Sequence, residues 1–586
     1  MTLTNNTLPR PEHPRPDFQR RDWLSLNGPW EFGWDDGDVG LAEGWDAGTH
    51  TLPTTIVVPF VYQAPLSGIG DESVHEVVWY RRKFTVPASF GVRRTLLHFG
   101  AVDWEADVWV NGRHAAHHEG GWTPFHADIT PFLTGGEATV VVRVVDRQDA
   151  GQPRGKQSWK GVRFGCWYTA TTGIWQSVWL EAVGSAALTG MSIDADADRK
   201  QAVFQVSLDR FGPGLELEAD VWFGGKPFRR VTATLTDTSP KLTVDLDWSD
   251  ELDLNYLWFP GRPNLFDVVL TLRRDGAELD RVETYFGVRK VFTHEGQVFL
   301  NNAPLVQKLI LDQGYWPDGL MTPPSDEAIK RDIELAMAFG FNGARKHQKF
   351  EDPRYYYWAD KLGFMVWGEM PAGYRFQPSA LAQTTAQWQD FLARDRNHPS
   401  IVAWVPLNES WGVYNILSDR RMQDYSRALY RLTKALDPSR LVSSNDGWEQ
   451  VETDLCAIHD YEASGERFRG KVTDKERYLA TRSDWRSIYA VGHAHQGEPV
   501  LVTEWGGIAF SGGKAGDWGY NGTVDSEDQF LARFGAMVDA FRDAGFLVGH
   551  CYTQLTDVQQ EINGLLTPDR KPKVDPARVK ALLDRK

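Results

Sequence analysis

The 586-residue chain is poor in cysteine, and it contains no hydrophobic run long enough to cross a bilayer. Cys166, Cys456 and Cys551 lie far apart and fit no CxxC or Cys/His metal spacing, so neither a disulfide framework nor a structural zinc is expected. No stretch approaches the ~18 consecutive apolar residues of a membrane span. Positive charge is also scarce: 63 Lys+Arg against 79 Asp+Glu leave a formal charge of -16, which repels a phosphate backbone and argues against nucleic acid as a partner. The opening stretch MTLTNNTLPRPEHPRPDFQRRDW is polar and proline-rich, without the apolar core of a secretory signal, and reads as cytoplasmic. There is no internal repeat at a period of 20 to 50 residues and no low-complexity tract, which disfavours a solenoid or propeller.

What the chain has in excess is tryptophan, 25 in a sequence that is 12% aromatic. Trp offers a flat apolar face and one donor, suited both to cores and to stacking on sugar C–H faces. At about 150 residues per domain the length predicts three or four domains. Residues 20 to 183 read as short strands (WEFGW, VVWYRRKFTV, TLLHFG, EADVWV, ATVVVRVVD, SVWLEAV) broken by Gly, Pro and Asp turns, which predicts a jelly-roll β-sandwich over 1–183. Evenly spaced strands continue over 184–290 (AVFQVSL, LEADVWF, VTATLT, KLTVDLDW, FDVVLTLRR, RVETYFGV), as in an immunoglobulin-like β-sandwich.

From 291 to 586 the pattern changes. Eight short apolar runs (VQKLILD, FNGARKH, FMVWGEM, IVAWVPLNE, LVSSND, CAIHDY, PVLVTEW, VGHCYTQL) alternate with amphipathic segments opened by Ser or Asp, which predicts a (β/α)8 TIM barrel. The active site of such a barrel is built at the C-terminal ends of its strands, so the polar residues closing each run are the candidates. Run four closes on Leu407-Asn408-Glu409-Ser410-Trp411 and run seven on Thr503-Glu504-Trp505-Gly506-Gly507, placing one carboxylate each on opposite sides of the mouth. Two facing carboxylates are what retaining glycoside hydrolysis needs, one as nucleophile and one as acid/base, roughly 5–5.5 Å apart. Either Glu alone reads equally well as a solvated or salt-bridged strand end.

These residues carry a resemblance. LNGPWEF, WYRRKFTVP, HFGAVDWEADVWVNG, GGWTPFHADIT and TGIWQSVWLE resemble the sugar-binding jelly roll of glycoside hydrolase family 2, the β-galactosidase and β-glucuronidase family of retaining exo-glycosidases. NHPSIVAWVPLNES resembles its acid/base signature and VTEWGG its nucleophile signature, so the resemblance spans nearly the whole chain. It implies Glu409 as general acid/base, Glu504 as nucleophile and Asn408 as the partner of the sugar 2-OH. It further implies Arg345, closing run two, as the cation that keeps the nucleophile ionised, and Tyr461, closing run six, as the phenol that holds it. His347 and His459 read equally as substrate contacts or as supporting hydrogen bonders, and Asp312 and Trp316 equally as pocket wall or packed loop. Trp411 and Trp505 flank the two carboxylates and read equally as sugar-stacking or rim-packing rings. Glu369, closing run three, reads as polar support.

Three departures bear on the substrate. EINGLLTPDRKPK resembles the segment in which β-glucuronidases carry an Asn-x-Lys for the sugar carboxylate, but here it begins Glu561-Ile562-Asn563, which disfavours a uronic acid. Six residues ahead of Gly173, where relatives often place an Asp, stands Trp167; Tyr552 stands where many relatives have a stacking Trp. No Glu-x-His magnesium pair follows run three, so neither a cofactor nor an obligatory metal is expected. The expectation is therefore a retaining exo-β-glycosidase, β-galactosidase-like, with a β-glucuronide, β-mannoside or arabinopyranoside as alternative glycone. A non-catalytic carbohydrate-binding protein or an interaction scaffold is the alternative outside enzymes. The partner is a carbohydrate, without nucleic acid or membrane, and a homo-oligomer stays open.

Overall fold

The computed structural model describes residues 8–585, apart from 247, 249–253 and 484–485. Asp247, within the KLTVDLDW run, and the first seven residues of the opening stretch lie outside the described residues. The first sandwich pairs a four-stranded sheet (Trp23–Ser25, Val178–Val183, Arg94–Phe99, Phe125–Asp128) with a six-stranded one built around Val77–Thr85 and Glu137–Val145. Strand Glu137–Val145 reads EATVVVRVV, and its valines at 140, 142 and 144 point into the core with Val78, Tyr80, Val108 and Leu180. That alternation is the period of two expected of a strand with one face buried.

The second sandwich packs Leu188–Asp196, Gln201–Leu208 and Lys241–Asp245 against a four-stranded sheet centred on Leu215–Phe223 and Phe266–Arg274. Its core is closed by Phe204, Leu217, Val268, Leu270 and Phe286. Buried Arg20 ties the two sandwiches, reaching Glu181 of the first at 2.5 Å and Asp280 of the second at 2.9 Å.

The third unit has eight parallel strands: β1 (Gln307–Asp312), β2 (Gly343–Lys346), β3 (Met365–Glu369), β4 (Ile401–Val405), β5 (Leu441–Val442), β6 (Cys456–His459), β7 (Val500–Gly506) and β8 (Leu547–Thr553). They pair in the order β5-β4-β3-β2-β1-β8-β7-β6, a curled sheet whose two ends face each other. Leu309, Leu311, Met365, Trp367, Val405, Leu501 and Cys551 fill its inside, and Val291, Val298 and Leu300 of a preceding hairpin belong to the same cluster. The intervening residues Ile310, Val366, Trp404, Val502, Trp505 and Tyr552 face outward to the helices.

Helix α1 (Asp326–Ala338) begins where Ser325 accepts from Ala328 N–H, and α2 (Pro353–Leu362) begins at Asp352 and stops at Gly363 in the left-handed conformation. An oxygen cap satisfies an amide that the helix itself cannot, which is why Ser and Asp mark these starts. Helix α3 (Pro378–Asp395) opens on a proline instead, which needs no partner for an amide it lacks. Helix α4 (Arg420–Leu436) is capped by Asp419 and not by the preceding Ser418. No helix among the described residues is long and apolar enough to cross a membrane.

Candidate active site

Glu504 lies within β7, where the pairing with β8 is irregular between Val502 and Trp505; both of those residues face outward and Glu504 faces the barrel mouth. Arg345 of β2 reaches Glu504 Oε1 at 3.2 Å and donates to the Thr503 carbonyl at 2.7 Å. Its other nitrogen donates to Glu369 Oε2 at 2.9 Å and to Asn408 Oδ1 at 3.1 Å. Burial opposes the charge of this fully enclosed guanidinium, but Asp446, Glu369 and Glu504 outweigh it and hold Arg345 well above its ordinary value. Tyr461, just past β6, donates to Glu504 Oε2 at 2.6 Å. Burial and the Glu504 charge both push the Tyr461 phenol up, so it stays a donor at neutral pH.

Glu409 is held differently. It lies beyond the end of β4, where Glu409 and Ser410 adopt φ of 51° and 58°. Two successive left-handed residues with side chains cost roughly 1–2 kcal/mol each, and the surroundings fix the turn. Glu409 N–H donates to the Asp446 carbonyl at 2.9 Å, Ser410 N–H to Asn445 Oδ1 at 3.0 Å, and Ser410 Oγ to Glu449 at 2.7 Å. The turn swings Glu409 back over the mouth, where Oε1 meets His459 Nδ1 at 2.9 Å and Oε2 accepts from Trp411 Nε1 at 3.2 Å. Burial raises the Glu409 carboxyl, but the hydrogen bond and charge of His459 outweigh it and bring it down to about 2.

The consequence is convergence. An oxygen of Glu409, an oxygen of Glu504 and a ring nitrogen of His459 all lie within 4.8 Å of one another. Glu409 keeps 19% of its side chain exposed and Glu504 5%, so both face the same opening. Asn408 places its Nδ2, which has no partner among the described residues, beside them. His347 is neutral: burial first, then the charge of Lys156, holds it well below its ordinary value, and it pairs with Glu369 at 2.9 Å. Burial raises Glu369 to about 7 against the pull of Arg345, and this carboxyl touches Arg345 and His347 but neither Glu409 nor Glu504.

Other candidates lie elsewhere. Trp505 and Tyr552 are fully buried behind β7 and β8 among Phe530, Phe534 and Phe541, so neither offers a face to the mouth. Tyr552 alternates with inward Cys551, and Trp505 is turned out by the irregularity of β7 between Val502 and Trp505. Asp312 is bound to Lys346 at 2.8 Å in a buried ionic group with Glu351, and Trp316 lies under the Arg570 guanidinium. Trp411 stays at the mouth, half-buried, its ring 5.3 Å from Trp167 and 5.4 Å from Tyr374.

Trp167 reaches the barrel because a loop of the first sandwich docks over it. Arg154 and Gly155 donate to the Ala372 carbonyl at 3.0 Å, Tyr168 donates to Glu561 at 2.8 Å, and Gln560 donates to the Trp167 carbonyl at 3.0 Å. Gly155 is required here: a Cβ on it would stand 2.3 Å from the Gln348 carbonyl oxygen. The docking buries Lys156, which is 4% exposed and has no carboxylate within ion-pair distance among the described residues. Burial lowers this ammonium, but the fields of Cys166, Glu561, Tyr374 and Glu409 outweigh it and keep it protonated. Lys156 is out of reach of the strand-end rule, whereas Asp446 closes the run LVSSND and falls under it without being singled out by any motif. Lys156 belongs to another domain, and Asp446 stands past the two-residue strand β5.

Among the described residues, two groups of His and carboxylate residues come close enough to share a cation: Glu105, Asp107 and His117 on the first sandwich, and Glu409, His459 and Glu504. In the second, both His459 nitrogens already hydrogen bond to carboxylates, Nε2 to Asp446 at 2.8 Å, so the ring has no lone pair aimed at the gap.

Comparison with known proteins agrees with this architecture. Three family models match in order: Glycosyl hydrolases family 2, sugar binding domain, over 23–181; Glycosyl hydrolases family 2 over 187–289; and Glycosyl hydrolases family 2, TIM barrel domain, over 324–585. A β-galactosidase of Leuconostoc mesenteroides is 24% identical over 94% of this chain and 54% of its own length. A β-glucuronidase of Paenibacillus borealis is 25% identical over 95% of this chain and 96% of its own. The β-glucuronidase from Ruminococcus gnavus in complex with D-glucuronic acid superposes with a TM-score of 0.77 at 20% identity, covering 98% of this chain and 100% of that one, which shows a shared fold. The chain spans about half the length of the β-galactosidases it matches. With the family models covering both sandwiches and the barrel in order, the chain belongs to glycoside hydrolase family 2.

Proposed function

We propose that the protein is a retaining exo-β-glycosidase in which Glu504 is the nucleophile and Glu409 the acid/base. The observation that carries this reading is the approach of Glu409 and Glu504 oxygens within 4.8 Å across the mouth. Inverting enzymes need roughly 6.5–9.5 Å to admit a water, whereas direct attack needs roughly 5–5.5 Å between carboxyl groups. Glu504, beside Arg345 and oriented by Tyr461, attacks the anomeric carbon while Glu409 passes a proton to the leaving oxygen. Water then attacks the glycosyl-enzyme as Glu409 takes a proton back. Asn408 Nδ2 is free to hydrogen bond the sugar 2-OH as charge develops on the ring. The loop carrying Gly155 to Tyr168 walls one side of the mouth, which suits a chain end better than the middle of a polymer. Initial rates on 4-nitrophenyl β-galactoside, glucoside, glucuronide, mannoside and xyloside and on the α-L-arabinopyranoside, with Glu504→Gln as control, test the reading. Turnover of one glycone, abolished in the control, supports it; silence across the panel or an active control overturns it.

For the glycone we propose a β-galactosidase-like preference, in line with the relatives named β-galactosidase. A second reading, β-glucuronide, is favoured by Lys156. The segment at Glu561 lacks the lysine of β-glucuronidases, but Lys156 brings a buried ammonium to the same mouth without an ion-pair partner among the described residues. Lys156→Met separates the two. On the glucuronide reading KM for the glucuronide rises about tenfold or more while neutral glycosides change little; an equal effect on both removes the lysine from glycone choice.

A further inference from the structure

An ionised Glu409 poses a chemical problem, because a carboxylate held against an imidazolium has no proton for the leaving group. The contacts of His459 supply an answer. Its Nδ1 stands 2.9 Å from Glu409 Oε1 and 3.5 Å from Glu504 Oε2, and its Nε2 stands 2.8 Å from Asp446 Oδ1, with the ring fully enclosed. Gly447 makes room for it: a Cβ there would lie 2.8 Å from His459 Nδ1.

We infer that Asp446, His459 and Glu409 form a proton relay, with His459 as the positioning residue that stores the proton Glu409 delivers. The inference rests on Glu409 being the acid/base. As the glycosidic bond breaks, Nδ1–H is lost from His459, an O–H forms on Glu409, and that proton ends on the leaving oxygen while Glu504 forms its bond to the sugar. His459 is left neutral and Glu409 ionised. When water attacks the glycosyl-enzyme, its proton goes to Glu409 and returns to His459, so the second half restores the first. Among the described residues, the charged groups that contact the ring include Glu409 from the end of β4, Asp446 from beyond β5, Glu504 from β7 and Arg345 from β2, whose nitrogen lies 3.5 Å from Nε2. Burial lowers His459, but the surrounding carboxylates, Glu504 first, outweigh it and raise it to about 10. At neutral pH the shared proton therefore sits on the ring.

The test compares His459→Gln and Asp446→Asn with the wild-type chain, following kcat/KM against pH on 4-nitrophenyl and 2,4-dinitrophenyl glycosides of one glycone. With the relay, His459→Gln lowers the alkaline limb by about two pH units or more, because Glu409 then titrates without its reservoir. The poorer leaving group loses roughly a hundredfold and the better one only a few-fold. Asp446→Asn, which keeps the ring, shifts the limb the same way by less. An unmoved limb in folded variants, or an equal loss on both leaving groups, overturns the relay. Glu409→Gln tells the two levels apart. If it shows the leaving-group dependence and the His459 and Asp446 variants do not, the relay alone falls; if it shows none, the acid/base reading falls with it.

Discussion

Glu504 and Glu409 are the same side chain placed in opposite settings. Glu504 stands within β7 at the irregularity between Val502 and Trp505, and its oxygens face a guanidinium and a phenol that fix its position. Glu409 sits on a left-handed turn past β4, more open, with an imidazole and an indole as partners. The fixed surroundings suit a group that must attack in one direction; the titrating surroundings suit a group that must gain and lose a proton. Environment, and not residue type, separates the roles proposed for two identical acids.

The comparison breaks most visibly at Glu504, the proposed nucleophile. Glu504→Gln should lower kcat by roughly 10⁴-fold or more on every leaving group, since no substituent on the substrate replaces a missing nucleophile; steady-state rates on two aryl glycosides check it. Glu409→Gln should cost about 10²–10⁴-fold on a poor leaving group and far less in glycosylation of an activated one. Equal losses on both would erase the distinction. Tyr461→Phe removes one hydrogen bond to a charged carboxylate, a loss of about 1.5–3 kcal/mol and roughly 10- to 150-fold in kcat/KM, with the pH profile retained.

The smallest effect is on stability. Glu409 is held at about 2, below its ordinary 4.5, so its contribution is present above 4.5 and fades as pH falls toward 2. His459 is held at about 10, above its ordinary 6.5, so its contribution is complete below 6.5 and fades as pH rises through 10. Their pair therefore supports the fold most between those ordinary values, and His459→Gln should flatten Tm against pH on both flanks. A variant profile parallel to the wild type would contradict that linkage.

Much of this site is legible in the sequence because barrel chemistry gathers at strand ends. NES after β4, TEW within β7, the Arg345 of β2 and the Tyr461 past β6 all stand in short segments where position along a strand fixes position at the mouth. Alternation from inward Cys551 carries a signal against Tyr552, but counted from inward Leu501 it would turn Trp505 inward, and the irregularity between Val502 and Trp505 is what turns that ring out. Lys156 is illegible for another reason. It lies on a loop of the first sandwich with no periodicity, and the docking of that loop through Arg154, Gly155, Trp167 and Tyr168 brings it over a barrel two domains later. Asp446 closes the run LVSSND and so stands where the rule looks, but β5 is only two residues long and no motif marks this Asp among its polar neighbours.

The central claim is that Glu504 bonds to the sugar while Glu409 manages protons. Incubation with the 2-deoxy-2-fluoro β-glycoside of the glycone turned over, followed by intact mass and peptide mapping, tests it most directly. The account predicts a single glycosyl adduct on the peptide holding Val502 to Gly507, with the carbon–oxygen bond on Glu504, formed also in His459→Gln. Turnover without an adduct, or an adduct on Glu409, would contradict it.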